Sequence, residues 1–161
     1  MVKDSQAFAR ELNLPDVAAT AALGARIAAG LSAGDLVALE GDLGAGKTTL
    51  ARAILRSLGV SEDVPSPTFT LVQLYETPDL TVRHYDLYRI ENANEIAELG
   101  IDEAVEDGVA LVEWPERADG RLPGELLHVG LRATDANARM ALLSGPAKWT
   151  PIFDESLTHA G

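Results

Sequence analysis

Cysteine is absent from the 161 residues, which removes disulfides, zinc–thiolate sites and thiol nucleophiles together and gives no reason to expect an oxidising compartment. No stretch of about 18 uncharged apolar residues occurs. The opening Met1-Val2-Lys3-Asp4 becomes charged before the apolar core of a secretory signal could form. The expectation is therefore a cytoplasmic protein with no membrane partner. Basic residues are scarce: 13 Lys and Arg against 25 Asp and Glu leave a formal net charge of −12. That charge repels a phosphate backbone at long range and argues against autonomous binding of DNA or RNA.

What is present fits an ordinary globular chain. Hydrophobic residues make up 47% and charged residues 24%, so wholly disordered and collagen-like readings fall away. The length suits one domain over residues 1–161, which would bury roughly 70% of the surface of its unfolded form. Alternation of Phe8, Arg10, Leu12 and Leu14 predicts a short strand closed by Pro15. Asp16 then caps an Ala-rich helix reaching to about residue 31, with Val17, Leu23, Ile27 and Leu31 along its apolar side. The apolar run 36–39 reads as a buried strand, and 47–58 as a helix stopped by Gly59.

Two β-rich runs, 68–75 and 80–85, separated by Thr77-Pro78-Asp79, predict a hairpin. Residues 91–107 hold seven acidic and no basic side chains, and predict two short amphipathic helices broken at Gly100 with a solvated acidic face. Further strands are expected at 109–112, 126–131 and 139–143, and a closing helix at 151–157.

The chemistry concentrates in Gly41-Asp42-Leu43-Gly44-Ala45-Gly46-Lys47-Thr48, which fits G-x-x-x-x-G-K-[ST] between a strand and a helix, as that motif requires. Glycines let successive backbone N–H groups turn towards phosphates, and the helix N-terminus adds partial positive charge. Lys47 would meet the β- and γ-phosphates, and the Thr48 hydroxyl would ligate Mg²⁺. The four fixed positions coincide by chance in roughly half a percent of chains this long, and the flanking strand and helix lower that further. Such a site also needs a carboxylate at the end of a neighbouring strand. Asp86 and Glu113 both qualify, and spacing alone does not choose between them. His84, two residues before Asp86, reads as a surface or core imidazole with a satisfied hydrogen bond, and Trp114 as a packing residue whose place beside Glu113 would also put it near a nucleotide.

Four blocks resemble the TsaE family, the small P-loop ATPases of tRNA threonylcarbamoyladenosine biosynthesis: Gly41 through Thr48 with Thr49, Ser66-Pro67-Thr68-Phe69-Thr70, His84-Tyr85-Asp86-Leu87-Tyr88-Arg89, and Glu113-Trp114-Pro115-Glu116. They stand in that family's order, with weaker similarity from Thr20 and Gly24 to Arg139. The resemblance implies a single P-loop ATPase domain that binds ATP and Mg²⁺. It implies that the segment from Gly41 to Thr49 cradles the nucleotide, that Thr48 and Glu113 ligate the magnesium, and that Asp86 is an essential acid near the γ-phosphate. Thr68 would be a switch threonine sensing that phosphate, and Glu116 and Arg139 would lie near the nucleotide. It further implies an accessory role in forming the threonylcarbamoyl group on an adenosine of tRNAs that read codons beginning with adenine. The partners would be the threonylcarbamoyl transferase subunit and its non-catalytic paralogue, with tRNA reached only through that complex.

The rival enzyme class is a small-molecule P-loop kinase. Such kinases close an Arg-bearing lid over the phosphates, whereas the ten arginines here are scattered and the segment between Thr77 and Leu80 is too short for a lid. A GTP switch would need an Asn-Lys-x-Asp guanine reader, and none of the three lysines follows Asn. The expected fold is an α/β, three-layer P-loop NTPase-like domain. Its central sheet is mixed and mainly parallel, with the P-loop strand beside the Glu113 strand and an antiparallel hairpin on one side.

Overall fold

Leu36, Val37, Ala38 and Leu39 are all fully buried, because their strand runs through the middle of a seven-stranded sheet with helices on both faces. The computed structural model describes residues 8–42, 44–65, 71–118, 120–123 and 125–153. In chain order the elements are β1 (Phe8–Leu14), α1 (Val17–Gly30), β2 (Asp35–Glu40), α2 (Lys47–Ser57), β3 (Val72–Glu76), β4 (Thr81–Asp86), α3 (Ile101–Asp107), β5 (Val109–Glu113), β6 (Glu125–Ala133) and β7 (Arg139–Gly145). Short 3-10 turns cover Ala93–Leu99, Pro115–Ala118 and Ala147–Trp149. Leu43, the block from Ser66 to Thr70 with Thr68, and the end of the expected closing helix lie outside the described residues. No described helix is long and apolar enough to cross a membrane.

The strand order is β1-β7-β6-β2-β5-β4-β3. The central four, β6, β2, β5 and β4, are parallel, and the P-loop strand β2 lies directly beside β5 as expected. The predicted hairpin is β3 with β4, antiparallel at one end of the sheet. A second antiparallel extension, β6-β7-β1, completes the other end and goes beyond the single hairpin expected. Its β1–β7 pairing joins opposite ends of the chain, a contact that local periodicity does not encode.

Because side chains alternate along a strand, β2 feeds two cores. Val37 and Leu39 pack with Leu23 and Ile27 of α1 and Leu50 and Ile54 of α2. Leu36 and Ala38 pack with Ala104 of α3 and Ile96 on the opposite face. The acidic segment folds as foreseen, as a 3-10 turn and α3 hinged at Gly100.

Asp16 caps α1 by accepting a hydrogen bond from the Ala19 N–H at 2.9 Å. The buried side of α1 is Thr20, Leu23, Gly24, Ile27 and Ala28, which corrects the predicted stripe at both ends. Val17 is 63% exposed, because the first helical residue lies beyond the edge of the core and borders an open hollow with Thr20, Thr49 and Arg139. Leu31 is only partly buried, because the chain has already turned extended there.

Helices α1 and α2 approach closely at Gly24. A Cβ there would lie 2.5 Å from Ala53 Cβ and 3.0 Å from the α2 backbone, neither of which can swing aside. Gly24→Val should therefore destabilise the fold by about 1–3 kcal/mol, the usual cost of overpacking. Thermal unfolding reads this as a lowered Tm, and an unchanged Tm would contradict the packing described.

Candidate functional site

β2 ends at Glu40 and α2 starts at Lys47, so six residues must carry the chain between them. Gly44 and Gly46 take left-handed backbone at φ 81° and 107°, a conformation that residues with a side chain rarely adopt. Gly46 caps α2 with no side chain to accept from the first turn, which leaves those N–H groups for an anion. Arg139 reaches the loop from β7 and donates from Nε to the Ala45 carbonyl at 2.8 Å and from Nη2 to the Gly44 carbonyl at 3.1 Å. In a trans peptide the C=O and the following N–H point oppositely, so holding the Ala45 carbonyl aims the Gly46 N–H away from Arg139. Arg139 thus clamps the loop backbone from outside.

Lys47 is only 5% exposed and folds back on its own loop, donating from Nζ to the carbonyls of Gly41 at 2.6 Å and Asp42 at 2.9 Å. Its ammonium also sits 4.2 Å from the centre of the Trp114 ring. Trp114 holds a left-handed φ of 60° to do this, a backbone strain of about 1–3 kcal/mol, and its ring is propped by Tyr88 at 4.8 Å. Burial lowers the Lys47 pKa, and the surrounding carboxylates of Glu113, Glu116, Asp86 and Asp42 partly offset that.

Behind Lys47, the Thr48 hydroxyl donates to the Glu113 carboxylate, with Oγ1 at 3.0 and 2.9 Å from the two oxygens. Glu113 is buried, and its Oε2 lies 2.7 Å from Nε2 of the fully buried His84. Register explains the meeting: β5 places Glu113 beside Leu39 of β2 on one side and beside Asp86 of β4 on the other. Asp86 is buried too, and its Oδ1 accepts from the Tyr88 N–H at 2.9 Å.

The fold therefore brings together Gly41, Asp42, Gly44, Ala45, Gly46, Lys47, Thr48, Asp86, Glu113 and Glu116. Thr49 borders the hollow behind the loop with Arg139. Thr68 and Leu43 lie outside the described residues. A hydroxyl and a carboxylate within hydrogen-bond reach form a hard-oxygen pair suited to Mg²⁺, which keeps several waters and takes few protein ligands. A roomier hollow of about 560 Å³ opens on the far sheet face near His128 and Glu40, and no loop residue lines it.

A family model described as threonylcarbamoyl adenosine biosynthesis protein TsaE matches residues 14–141. The chain belongs to the TsaE family. That match contains every site residue named above. Sequence relatives include the tRNA threonylcarbamoyladenosine biosynthesis protein TsaE of Bacillus subtilis, 40% identical over 142 residues that cover 87% of this chain and 89% of that protein. The protein of the same name from Rickettsia felis is 42% identical over 129 residues, 80% of this chain and 75% of that one. Among solved structures, the crystal structure of Bacillus subtilis YdiB matches with a TM-score of 0.78 at 29% identity, covering 96% of this chain and 97% of that chain.

Three contacts in this TsaE site escape sequence reasoning: His84 on Glu113, Trp114 over Lys47, and Arg139 on the loop carbonyls. Each links residues far apart in sequence; the cues were that His84 stands two residues before Asp86, that Trp114 follows Glu113, and that the family resemblance puts Arg139 near the nucleotide. Lys47→Ala should abolish nucleotide binding in calorimetry while costing the fold only about 1–3 kcal/mol for the lost carbonyl contacts. A phosphate would be met by the ammonium form of Lys47. Affinity should therefore fall as pH rises through a Lys47 pKa lying below the ordinary 10.5. Wild-type affinity in Lys47→Ala would overturn the assignment of the phosphate site.

Proposed function

We propose that this chain is a magnesium-dependent ATPase built as a single P-loop domain, acting in the cytoplasm as an accessory protein in threonylcarbamoyl adenosine formation on tRNA. One observation carries the reading: Lys47 and Thr48 start α2 at the end of a left-handed glycine loop, with the Glu113 carboxylate on the Thr48 hydroxyl. Family membership supports the biosynthetic role.

In this reading the nucleotide phosphates replace the Gly41 and Asp42 carbonyls as partners of Lys47, and the N–H groups from Gly44 to Thr49 take the remaining oxygens. Thr48 and Glu113 would hold Mg²⁺, which when bound neutralises charge on the β- and γ-phosphates. Asp86, next to Glu113 in register, would orient the attacking water, and Thr68 would sense the γ-phosphate. Glu116 lies among the carboxylates around Lys47, and Arg139 keeps the loop in shape. The hollow beside Val17 and Thr49, lined by both apolar and polar side chains, would take the base.

The partners in this proposal are the threonylcarbamoyl transferase subunit and its non-catalytic paralogue. A net charge of −12 suits docking on a basic protein surface and disfavours direct capture of tRNA. No motif marks an arginine finger here, and lacking one costs about 10³- to 10⁵-fold in rate. Phosphate release should accordingly be slow for the isolated chain and rise when both transferase subunits are added, and Asp86→Asn should keep ATP binding while losing most of that release. Equal rates in every mixture, or stimulation by naked tRNA alone, would defeat the proposal.

A further inference from the structure

We propose that His84 is a positioning residue that fixes the Glu113 carboxylate for the metal; this rests on the magnesium reading above. His84 and Asp86 lie two residues apart on β4 and so share one face of the sheet. In register His84 pairs with Leu111 and Asp86 with Glu113, so the imidazole reaches Glu113 diagonally from beneath. The Nε2···Oε2 separation is 2.7 Å, with the imidazole fully enclosed. A carboxylate that ligates a metal does so without its proton and can only accept, so the proposed role requires Nε2 to be the donor. The other ring nitrogen, Nδ1, is buried with no partner among the described residues.

Leaving a buried polar atom unsatisfied is destabilising. A phenyl ring in the same place would carry no such cost. What the imidazole supplies in return is one directed N–H bond to Oε2, with both carboxylate oxygens held within 3.0 Å of the Thr48 hydroxyl. The Thr48 hydroxyl also donates to this carboxylate, but its single proton is shared between the two oxygens and so does not fix their rotation. The His84 N–H, held on one oxygen, is the donor that sets the rotation of the carboxylate. Donors behind a metal ligand that act in this way commonly tune metal affinity by about 10- to 100-fold.

The test compares His84→Phe, which keeps a ring but loses the donor, with His84→Gln, whose amide nitrogen comes near the position of Nε2. ADP affinity is measured by calorimetry in chelator, and Mn²⁺ affinity of the ADP complex by electron paramagnetic resonance. His84→Phe should weaken Mn²⁺ by about 10- to 100-fold with ADP affinity in chelator within about twofold of wild type, and His84→Gln should restore most of the loss. Wild-type Mn²⁺ affinity in His84→Phe overturns the proposal, and so does an equal loss of metal-free ADP affinity, which would mark a merely structural role. If His84→Phe does not fold, His84→Asn replaces it, because its shorter amide stops near Nδ1. Asn should then lose Mn²⁺ where Gln keeps it, and equal affinities overturn the proposal. A wild-type protein that binds ADP without any effect of Mn²⁺ removes the magnesium reading itself, and unaltered metal binding in the variants removes the role of His84 alone.

Discussion

A carboxylate buried at the end of a central strand has to be satisfied by donors that the fold brings to it, since an unpaired buried charge costs several kcal/mol. Glu113 is that carboxylate, and its two donors come from different elements: the Thr48 hydroxyl from the first turn of α2 and the His84 imidazole from β4. Hydrogen bonds to a charged group contribute about 1.5–3 kcal/mol each, so two of them offset a large part of the penalty. Meeting this one demand sets the height of α2 against the sheet and brings the parallel strands β2, β5 and β4 to a common edge. The close approach of α1 to α2 at Gly24 supports the same arrangement from behind.

Charge around the loop follows the same logic. Among the described residues one ammonium, that of Lys47, faces the carboxylates of Glu113, Glu116, Asp86 and Asp42, and burial disfavours even that charge. A nucleotide adds further negative charge to this cluster. Its binding is therefore best balanced when a divalent cation enters with it, which ties the proposed phosphate site to the proposed metal site electrostatically as well as by position. In the nucleotide-free arrangement Lys47 is held by carbonyls and by the Trp114 face, which are weaker partners than phosphate and readily exchanged for it.

Much of this was legible in the sequence where the cause is local. The glycine loop, the capped helix at Asp16, the hairpin and the split of the acidic segment at Gly100 all depend on a few neighbouring residues, and all were anticipated. Asp86 and Glu113 could be recognised as strand-end acids, but their relation to Thr48 depends on strand register across the sheet, which a single sequence does not display. His84 read only as an imidazole with some satisfied hydrogen bond for the same reason, its partner being 29 residues away on another strand. Arg139 needed a contact spanning 94 residues to reveal its hold on the loop. Val17 was misassigned because helical periodicity shows which side is apolar and not where the helix leaves the core.

In the proposed function Thr48 and Glu113 form the metal end of the nucleotide site, and the sharpest test is anomalous scattering from a crystal grown with Mn²⁺ and a non-hydrolysable ATP analogue. A manganese peak is expected between the Thr48 hydroxyl and the Glu113 carboxylate, with Lys47 Nζ moved from the Gly41 and Asp42 carbonyls onto phosphate oxygens. A peak on Asp86 with the Thr48–Glu113 hydrogen bond still in place, or no peak beside a bound nucleotide, would contradict it.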